Sequence, residues 1–390
     1  MAASPFAFLR GAAAVMAADL AVVPTTGLEV QACGDCHLMN FGMYANAERH
    51  VVFGVNDFDE TMRGPWEWDV KRLAASFVVA CQDVRLSDKQ ARDVAIASVR
   101  AYRERLAQMA EMTPLEVWYD RIDVERAAAE APDKAARRRR EKMLRKAQSR
   151  VAENLFPRLI RNEGGGHRIV DQPPLIYHLD GVTAETIVPF LDDYRASLED
   201  DRRVLFDRFE IEDVAIKVVG VGSVGTRCYV VVFRDEADRP LLLQVKEANQ
   251  SVLAPYLADK KPAKVNNGQR VVVGQRLMQP SPDPLLGWGT SPAGRDFYTR
   301  QLRDMKLSVT LVDDPIQLTR YAEFCGKALA RGHANSGSAT AISGYLGATD
   351  TFDEAMGEFA RKYAAQTVED HRTLVEAIDD GRVDALFETQ

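Results

Sequence analysis

A short polar stretch near the start of the chain, Cys33–Glu60, most constrains what this sequence can fold into. It places several candidate ligands in short loops between apolar runs, namely Asp35, His37, Asn40, Asp57 and Asp59. The apolar runs that flank these loops are short and rich in β-branched and aromatic residues, which favours strands over helices. We therefore expect two adjacent strands that present Asp35, Asn40 and Asp57 at neighbouring ends.

The chemistry of these side chains indicates a magnesium site. Mg²⁺ prefers carboxylate and amide oxygens, and it is usually bound by one or two carboxylates together with substrate phosphates. Asn40 and Asp57 suit that role, and Asp59 follows in the same loop. This assignment leaves Asp35 to orient or deprotonate an incoming nucleophile.

The same stretch carries a resemblance to known kinases. The segment Gly34–Asn40 reads GDCHLMN and resembles the GDxHxxN catalytic loop of the aminoglycoside and choline kinases, within the protein-kinase-like superfamily. The segment Asn56–Asp59 reads NDFD and is similar to their metal-binding DFG-type element. The resemblance implies a catalytic loop that contains Asp35 and His37, with Asp35 on the acceptor hydroxyl, and metal binding by Asn40, Asp57 and Asp59.

A longer run, through Gly64–Ala74, resembles a bacterial family described only as a domain of unknown function. That match extends over most of the chain and implies no substrate. In the kinases of the first resemblance a structural aspartate stands near this point, so Asp69 is expected to be part of the scaffold.

A glycine-rich motif and a lysine follow much later in the chain. The motif GVGSVG, with Gly220, Gly222, Ser223 and Gly225, lies between two strand-like runs, and a third strand-like run ends at Lys246. Strand, glycine loop, strand and a strand with a lysine is the order of a kinase phosphate-covering loop and its lysine. We therefore predict nucleotide binding by these residues. A glycine-rich hairpin with an incidental lysine is the alternative.

The glutamate that is expected to pair with this lysine is missing from the sequence. Between Asp259 and Gly294 there is no glutamate, and the predicted helix Gly268–Gln279 offers Gln269, Gln275 and Gln279 instead. The orientation of Lys246 therefore stays open.

The order of the motifs predicts a circularly permuted kinase-like fold. The glycine loop precedes the catalytic loop in ordinary kinases and follows it here, but function depends on where groups meet in space. We predict an α+β, two-lobed fold with a mainly helical large lobe and a smaller antiparallel β lobe. Residues 1–205 would begin the helical lobe, 206–310 would form the β lobe, and 311–390 would complete the helical lobe.

Periodicity and capping residues predict the remaining elements. The predicted helices are Phe6–Leu20, Trp66–Gln82, Ser87–Met112, Pro114–Glu130, Thr183–Asp200, Gln317–Ala334 and Thr351–Phe387. Two further strand-like runs are Pro280–Trp288 and Phe297–Met305. The basic run that contains Arg137–Arg140 is interpreted as a solvated helix face or a docking surface for an acidic partner, and His333 as a structural histidine.

Composition restricts the partners and the compartment. The net charge of −7 disfavours general attraction to nucleic acid or anionic lipid. The apolar stretch Ala12–Val23 is interrupted by Asp19 and is too short to cross a bilayer, so a cytoplasmic protein without a membrane anchor is expected. Five cysteines do not suggest a disulfide framework. The C-x-x-C of Cys33 and Cys36, with His37, leaves half of a zinc site or a redox pair as an alternative.

The leading hypothesis is an ATP- and Mg²⁺-dependent phosphotransferase. A nucleotide-binding regulator without catalysis is the main alternative, followed by a nucleotidyltransferase and a metallophosphoesterase. The acceptor, whether a small molecule or a protein, and the oligomeric state cannot be read from the sequence.

Overall fold

The computed structural model describes residues 1–129, 138, 141–142, 145, 159–182, 184–218, 225–257, 265–302, 307–308 and 311–385. Gly220, Gly222, Ser223 and most of the predicted basic helix lie outside the described residues. The fold is a mixed α+β arrangement with antiparallel sheets.

Helices form most of the regular structure. In chain order they are α1 (Pro5–Gly11), α2 (Ala13–Ala21), α3 (Trp66–Asp83), α4 (Asp88–Ala110), α5 (Pro114–Tyr119), α6 (Val124–Ala129), α7 (Ala184–Ala196), α8 (Asp200–Phe206), α9 (Asn267–Met278), α10 (Pro315–Ser336), α11 (Ala339–Leu346) and α12 (Thr351–Asp379). None of the helices within the described ranges is both long and apolar enough to cross a membrane.

The strands of the described residues form four sheets. They are β1 (Glu29–Ala32), β2 (Phe41–Ala45), β3 (Val51–Val55), β4 (Met62–Pro65), β5 (Ile122–Asp123), β6 (Ile160–Glu163), β7 (Gly166–Ile169), β8 (Ile176–Tyr177), β9 (Phe209–Lys217), β10 (Cys228–Asp235), β11 (Pro240–Glu247), β12 (Gly287–Thr290), β13 (Asp296–Gln301) and β14 (Leu307–Ser308). The largest sheet has the order β12-β13-β11-β10-β9-β8, and a second has the order β14-β2-β3-β5. Two-stranded sheets are formed by β1 with β4 and by β6 with β7.

Three hydrophobic clusters organise the described part of the chain. A large core packs α1, α2, α3, α4, α10 and α12 around the sheet that contains β2 and β3. The six-stranded sheet buries a smaller apolar cluster on each face, because alternate residues of a strand point to opposite sides. Val231 and Val245 face α7, whereas Val230 and Leu242 face the other side.

Most of the predicted helix starts follow from capping side chains. Ser87 and Thr113 each form a capping box, with Gln90 and Glu116 respectively, so the predicted starts of α4 and α5 are confirmed. The predicted helix Pro114–Glu130 is wrong in its middle, because α5 ends before Asp120 and a short strand pairs with β3 before α6 begins. Helix Phe6–Leu20 is likewise divided into α1 and α2 at Ala12.

The expectation that the strands before Asp35 and Asp57 are neighbours is also wrong. Strand β1 pairs with β4, whereas β3 pairs with β2, which the sequence analysis did not predict. The polar loops converge because β2 pairs with β3. They do not converge through a pairing of β1 with β3.

Candidate functional site

The loop after β1 requires a glycine at its first turn. Gly34 has φ +84°, and a Cβ atom at this position would lie 2.2 Å from the carbonyl oxygen of Glu60. Only glycine combines that backbone conformation with so close an approach. The Gly34 turn therefore brings the loop of Asp35 against the end of the loop that contains Asp57.

Asp69, on α3, holds the backbone of this loop through hydrogen bonds. Its carboxylate, buried in α3, accepts hydrogen bonds from the backbone N–H groups of Cys33 at 2.6 Å and Gly34 at 3.0 Å. His333 of α10 lies 3.1 Å from the same carboxylate through Nε2, and its Nδ1 lies 2.9 Å from the hydroxyl of Tyr102. Since a carboxylate only accepts, His333 Nε2 donates to Asp69 and Nδ1 accepts from Tyr102. The predictions of structural roles for Asp69 and His333 are confirmed.

Asp35 itself is held by an arginine. Arg72, three residues after Asp69 on α3, donates from Nε to Asp35 Oδ1 at 2.8 Å and from its terminal nitrogen to the same oxygen. The arginine side chain is 3% exposed and also binds the carbonyl of Leu9. Oδ2 of Asp35 is turned toward His37, at 3.6 Å from its Nε2.

His37 contacts the backbone of its own loop and faces Asp35. Its Nδ1 accepts from the backbone N–H of Met39 at 3.2 Å, which places the ring proton on Nε2, facing Asp35. Burial lowers the pKa of His37 to about 4, although the Asp35 carboxylate opposes that shift. The sequence analysis placed His37 in the catalytic loop, and the structure gives it contacts that orient the loop.

Asn40 and Asp57 lie at the paired ends of β2 and β3. The backbone N–H of Asn56 donates to the carbonyl of Asn40 at 2.7 Å, so the two loops leave the sheet side by side. The Asn40 side chain donates from Nδ2 to the carbonyl of Asp35 at 2.7 Å. That bond uses a donor of the amide nitrogen, and Oδ1 is the amide atom that could bind a metal.

The lysine of β11 meets the acidic loop. Lys246 Nζ forms an ion pair with Asp59 Oδ2, and the hydroxyl of Tyr298 donates to Asp59 Oδ1 at 2.8 Å. The two members of the ion pair are 187 positions apart in the sequence. Burial opposes the charge on Lys246, but its electrostatic interactions with Tyr298, Asp59 and Asp57 are larger together and raise its pKa above the ordinary value. Both carboxylate oxygens of Asp59 therefore have protein donors.

The open question of the lysine's partner is answered by this contact. Helix α9 packs beside the site, and Arg270 on this helix and Gln279 just after it donate to backbone carbonyls rather than contacting Lys246. Arg270 donates to the carbonyls of Thr61 at 2.6 Å and Asp59 at 2.8 Å, and Gln279 donates to the carbonyl of Val55 at 2.6 Å. Helix α9 therefore fixes the backbone of the acidic loop, while the loop itself supplies the counter-charge.

Two further residues of the site were missed in the sequence analysis. Tyr298 stands opposite Lys246 in the pairing of β11 with β13, and Arg300, two residues on, lies on the same face of the sheet. Arg300 donates to the carbonyl of Asn56 at 3.2 Å. Burial opposes its charge, and interactions with Tyr298, Asp57 and Asp59 overcome this and raise its pKa. The alternation of Tyr298 and Arg300 within a predicted strand was the available signal.

Glu60 joins the acidic loop to the segment after β11. Its carboxylate accepts from the backbone N–H of Val252 at 2.7 Å, and its carbonyl accepts from the Ser251 hydroxyl at 2.7 Å. Burial raises the pKa of Glu60 to about 7, against the lowering effect of the Val252 hydrogen bond. The loop Asn56–Glu60 is thus attached to both β11 and its following turn.

The zinc and redox alternatives receive no support from the thiols. Cys33 and Cys36 are buried. The hydrogen bond with Cys36 lowers the pKa of Cys33, but burial and the nearby carboxylates raise it to about 11; burial also raises that of Cys36. Both remain thiols at neutral pH, and the thiolate is the form that binds metal or reacts. Across the part of the chain that the structure describes, no three His, Cys, Asp or Glu side chains form a metal-binding group.

Of the predicted nucleotide-binding residues, the described ones are Gly225 and Lys246. Gly225 has φ +86°, a conformation that favours glycine, at the entry to β10. Cys228, three residues later, stands opposite Lys246 in the pairing of β10 with β11. The end of the glycine motif therefore lies at the same end of the β10–β11 pair as the lysine.

Comparison with known proteins gives one match. A family model described as "Uncharacterized protein conserved in bacteria (DUF2252)" matches residues 1–377. No curated protein matches the chain, and no solved structure matches it.

Proposed function

We propose that this chain, which belongs to the DUF2252 family of uncharacterised bacterial proteins, is an ATP- and Mg²⁺-dependent phosphotransferase with a circularly permuted, two-lobed kinase-like fold. The single observation that carries the proposal is the ion pair between Lys246 and Asp59. It joins β11, the second strand after the glycine motif, to the acidic loop that follows the catalytic loop. The two halves of the proposed site therefore meet in space despite their reversed order in the chain.

Asp35 would contact the acceptor. Oδ1 is held by Arg72, so Oδ2 is the oxygen that can accept a hydrogen bond from an acceptor hydroxyl. Because Arg72 holds the Asp35 carboxylate in a fixed orientation, its main contribution would be orientation of the hydroxyl. Phosphoryl transfer needs little more than positioning and charge neutralisation.

The donor set fits Mg²⁺. Asn40 presents an amide oxygen, Asp57 a carboxylate at the adjoining strand end, and two oxygen ligands are enough for a metal that also binds substrate phosphates. Asp59 is engaged by Lys246 and Tyr298, so we assign the metal to Asn40 and Asp57. The ion, when bound, would neutralise charge that develops on the transferred phosphoryl group.

Lys246 would hold the phosphates of the nucleotide. Its buried ammonium is charged and lies at the end of the β10–β11 pair where the glycine motif ends. The backbone of that motif would approach the phosphates, since glycines leave N–H groups accessible. Nucleotide binding would then replace the Asp59 carboxylate by phosphate oxygens as the main partner of Lys246.

A nucleotide-binding regulator without catalysis is the second candidate. The observation that favours it is the pairing of Lys246 with an acidic-loop residue rather than with a helix glutamate. This candidate predicts ATP binding without ATP consumption. A nucleotidyltransferase needs the same groups with ATP bound in reverse, and a phosphoesterase would need further metal ligands.

The test is calorimetric binding of ATP with and without Mg²⁺ to the wild-type protein and to Lys246→Ala and Asp57→Ala. We expect binding that depends on Mg²⁺ and is weakened at least tenfold by either change. Lys89→Ala and Asp93→Ala, exposed on α4, are matched controls that should bind as the wild type does. Absence of ATP binding by the wild-type protein would reject both candidates.

Turnover separates the two candidates. The assay measures ADP released by ATP hydrolysis or by phosphoryl transfer to a panel of acceptors. This activity should be lost in Asp35→Asn, while ATP binding is kept. ATP binding by the wild type with no ADP or AMP formation on any acceptor would support the regulator. Release of pyrophosphate, with the AMP moiety transferred to the acceptor, would identify nucleotidyl transfer instead.

A further inference from the structure

A cavity of about 230 Å³ lies apart from the proposed catalytic site. Its lining comes from the loop before β1, the first turns of α3, α11 and the start of α12, namely Thr26, Glu67, Lys71, Tyr345, Phe352 and Met356 among others. A single water needs only about 10–15 Å³ on this measure, so the cavity has room for a small metabolite.

Two charged side chains line this cavity from one face of α3. Glu67 and Lys71 are one helical turn apart and are only 6% and 8% exposed. Asp69 and Arg72 lie on the opposite side of the same helix, where they hold the catalytic loop. The cavity and the catalytic loop therefore share α3 as a common wall.

Glu67 has an unused acceptor. Its Oε1 accepts from the backbone N–H of Thr26 at 2.7 Å, whereas Oε2 is buried and has no hydrogen-bond partner among the described residues. A buried carboxylate oxygen without a donor is costly, which marks a place for a ligand donor. An ammonium group would satisfy both the hydrogen bond and the charge.

Lys71 offers the complementary charge. Its Nζ lies 5.4 Å from the centre of the Phe359 ring, and burial lowers its pKa while Glu67 opposes that shift. Beside the loop residues Pro24, Thr25 and Thr26, the rest of the lining is Phe352, Met356 and the exposed ring of Tyr345. An acid and a base one helical turn apart beside an apolar surface match a zwitterion with an apolar body.

We propose that this cavity binds a small zwitterionic ligand of the free amino-acid class, with its ammonium on Glu67, its carboxylate on Lys71 and an apolar side chain against Phe352 and Met356. The proposal does not depend on the phosphotransferase activity, because the site lies on the other side of α3. A ligand bound there contacts the helix that positions Asp35.

The experiment is calorimetric titration of the full chain with leucine, methionine and phenylalanine. Two analogues of leucine serve as chemical controls: N-acetyl-leucine lacks the ammonium, and leucinamide lacks the carboxylate. We expect saturable binding of at least one amino acid, without a requirement for ATP or Mg²⁺. The N-acetyl and amide analogues of the amino acid that binds should each bind at least tenfold more weakly.

Variants assign the binding to this cavity. Glu67→Gln and Lys71→Met should each weaken binding at least tenfold, whereas Glu111→Gln, an exposed glutamate at the end of α4, should not. Tyr345→Ala changes a side chain that is 60% exposed, so it keeps the fold and tests the site if the buried variants do not fold. No saturable binding of any amino acid at millimolar concentration, or binding that none of the three variants weakens, would overturn the proposal.

Discussion

The ion pair between Lys246 and Asp59 predicts an asymmetric effect of removing either partner. The Lys246 side chain is 5% exposed, whereas that of Asp59 is 22% exposed and also accepts from Tyr298. In Asp59→Asn the ammonium stays buried without its counter-charge. In Lys246→Met the carboxylate that remains keeps one hydrogen bond and part of its hydration.

These environments give the magnitudes. Removing one partner of a buried ion pair costs about 3–5 kcal/mol, and the cost falls when the remaining charge is hydrated. We therefore expect Asp59→Asn to lower the free energy of unfolding by about 3 kcal/mol and Lys246→Met to lower it by about 1 kcal/mol. The double variant removes both charges, so it should be close to Lys246→Met, with a coupling energy of about 2–3 kcal/mol between the two sites.

The assay is urea unfolding at pH 7, followed by tryptophan fluorescence and by circular dichroism, for the wild type, the two single variants and the double variant. Trp66 and Trp68 on α3 report on the helical core. A cost of Lys246→Met equal to or larger than that of Asp59→Asn would contradict the burial argument. Additive costs in the double variant would show that the two side chains do not interact.

Four other perturbations test the loops of the site. Gly34→Ala should destabilise the protein by at least about 3 kcal/mol in urea unfolding, because the positive φ is strained and the methyl group meets a backbone oxygen; a loss below about 1 kcal/mol would mean that the loop moves freely. Asp69→Asn should cost about 1–3 kcal/mol, because one buried backbone donor loses its acceptor, and unchanged stability would refute its scaffold role. Burial of Glu60 raises its pKa from 4.5 to about 7, so its contribution to stability is complete below pH 4.5 and is lost as pH rises through 7; the stability of the wild type relative to Glu60→Gln should fall by about 3 kcal/mol across that range. The pKa of His37, lowered by burial from 6.5 to about 4, has the opposite sign, so the wild type relative to His37→Asn should lose about 3 kcal/mol as pH falls from 6.5 to 4; parallel pH profiles for wild type and variant would contradict either assignment.

Local chemistry predicted much of the fold and part of the site. Capping residues located the helix starts at Ser87 and Thr113, and the alternation of apolar residues located β9, β10 and β11 with Lys246 at the end. Such signals depend on neighbours in the sequence. They were sufficient to place the α+β class and the antiparallel arrangement.

Long-range pairing decided what could not be predicted. No local signal tells β1 to pair with β4 rather than β3, since both partners are short strands. The counter-charge of Lys246 comes from 187 positions away, and Asp59 had been considered only as a metal ligand. Arg72 was noted as part of a helix, but its role depends on the helix rotation that also turns Asp69 toward the loop.

The hydrogen bond between Asp69 and His333 has a consequence for synthesis of the protein. The two residues are 264 positions apart, so the ribosome makes the loop of Asp35 long before it makes the helix that closes the network behind it. At about 5–20 residues per second, the interval is roughly 13–50 s. During that time the nascent chain carries the segment Cys33–Glu60 without α10 and without the strand of Lys246. The site can be completed only after α10 has been made, which delays any activity of the loop until then.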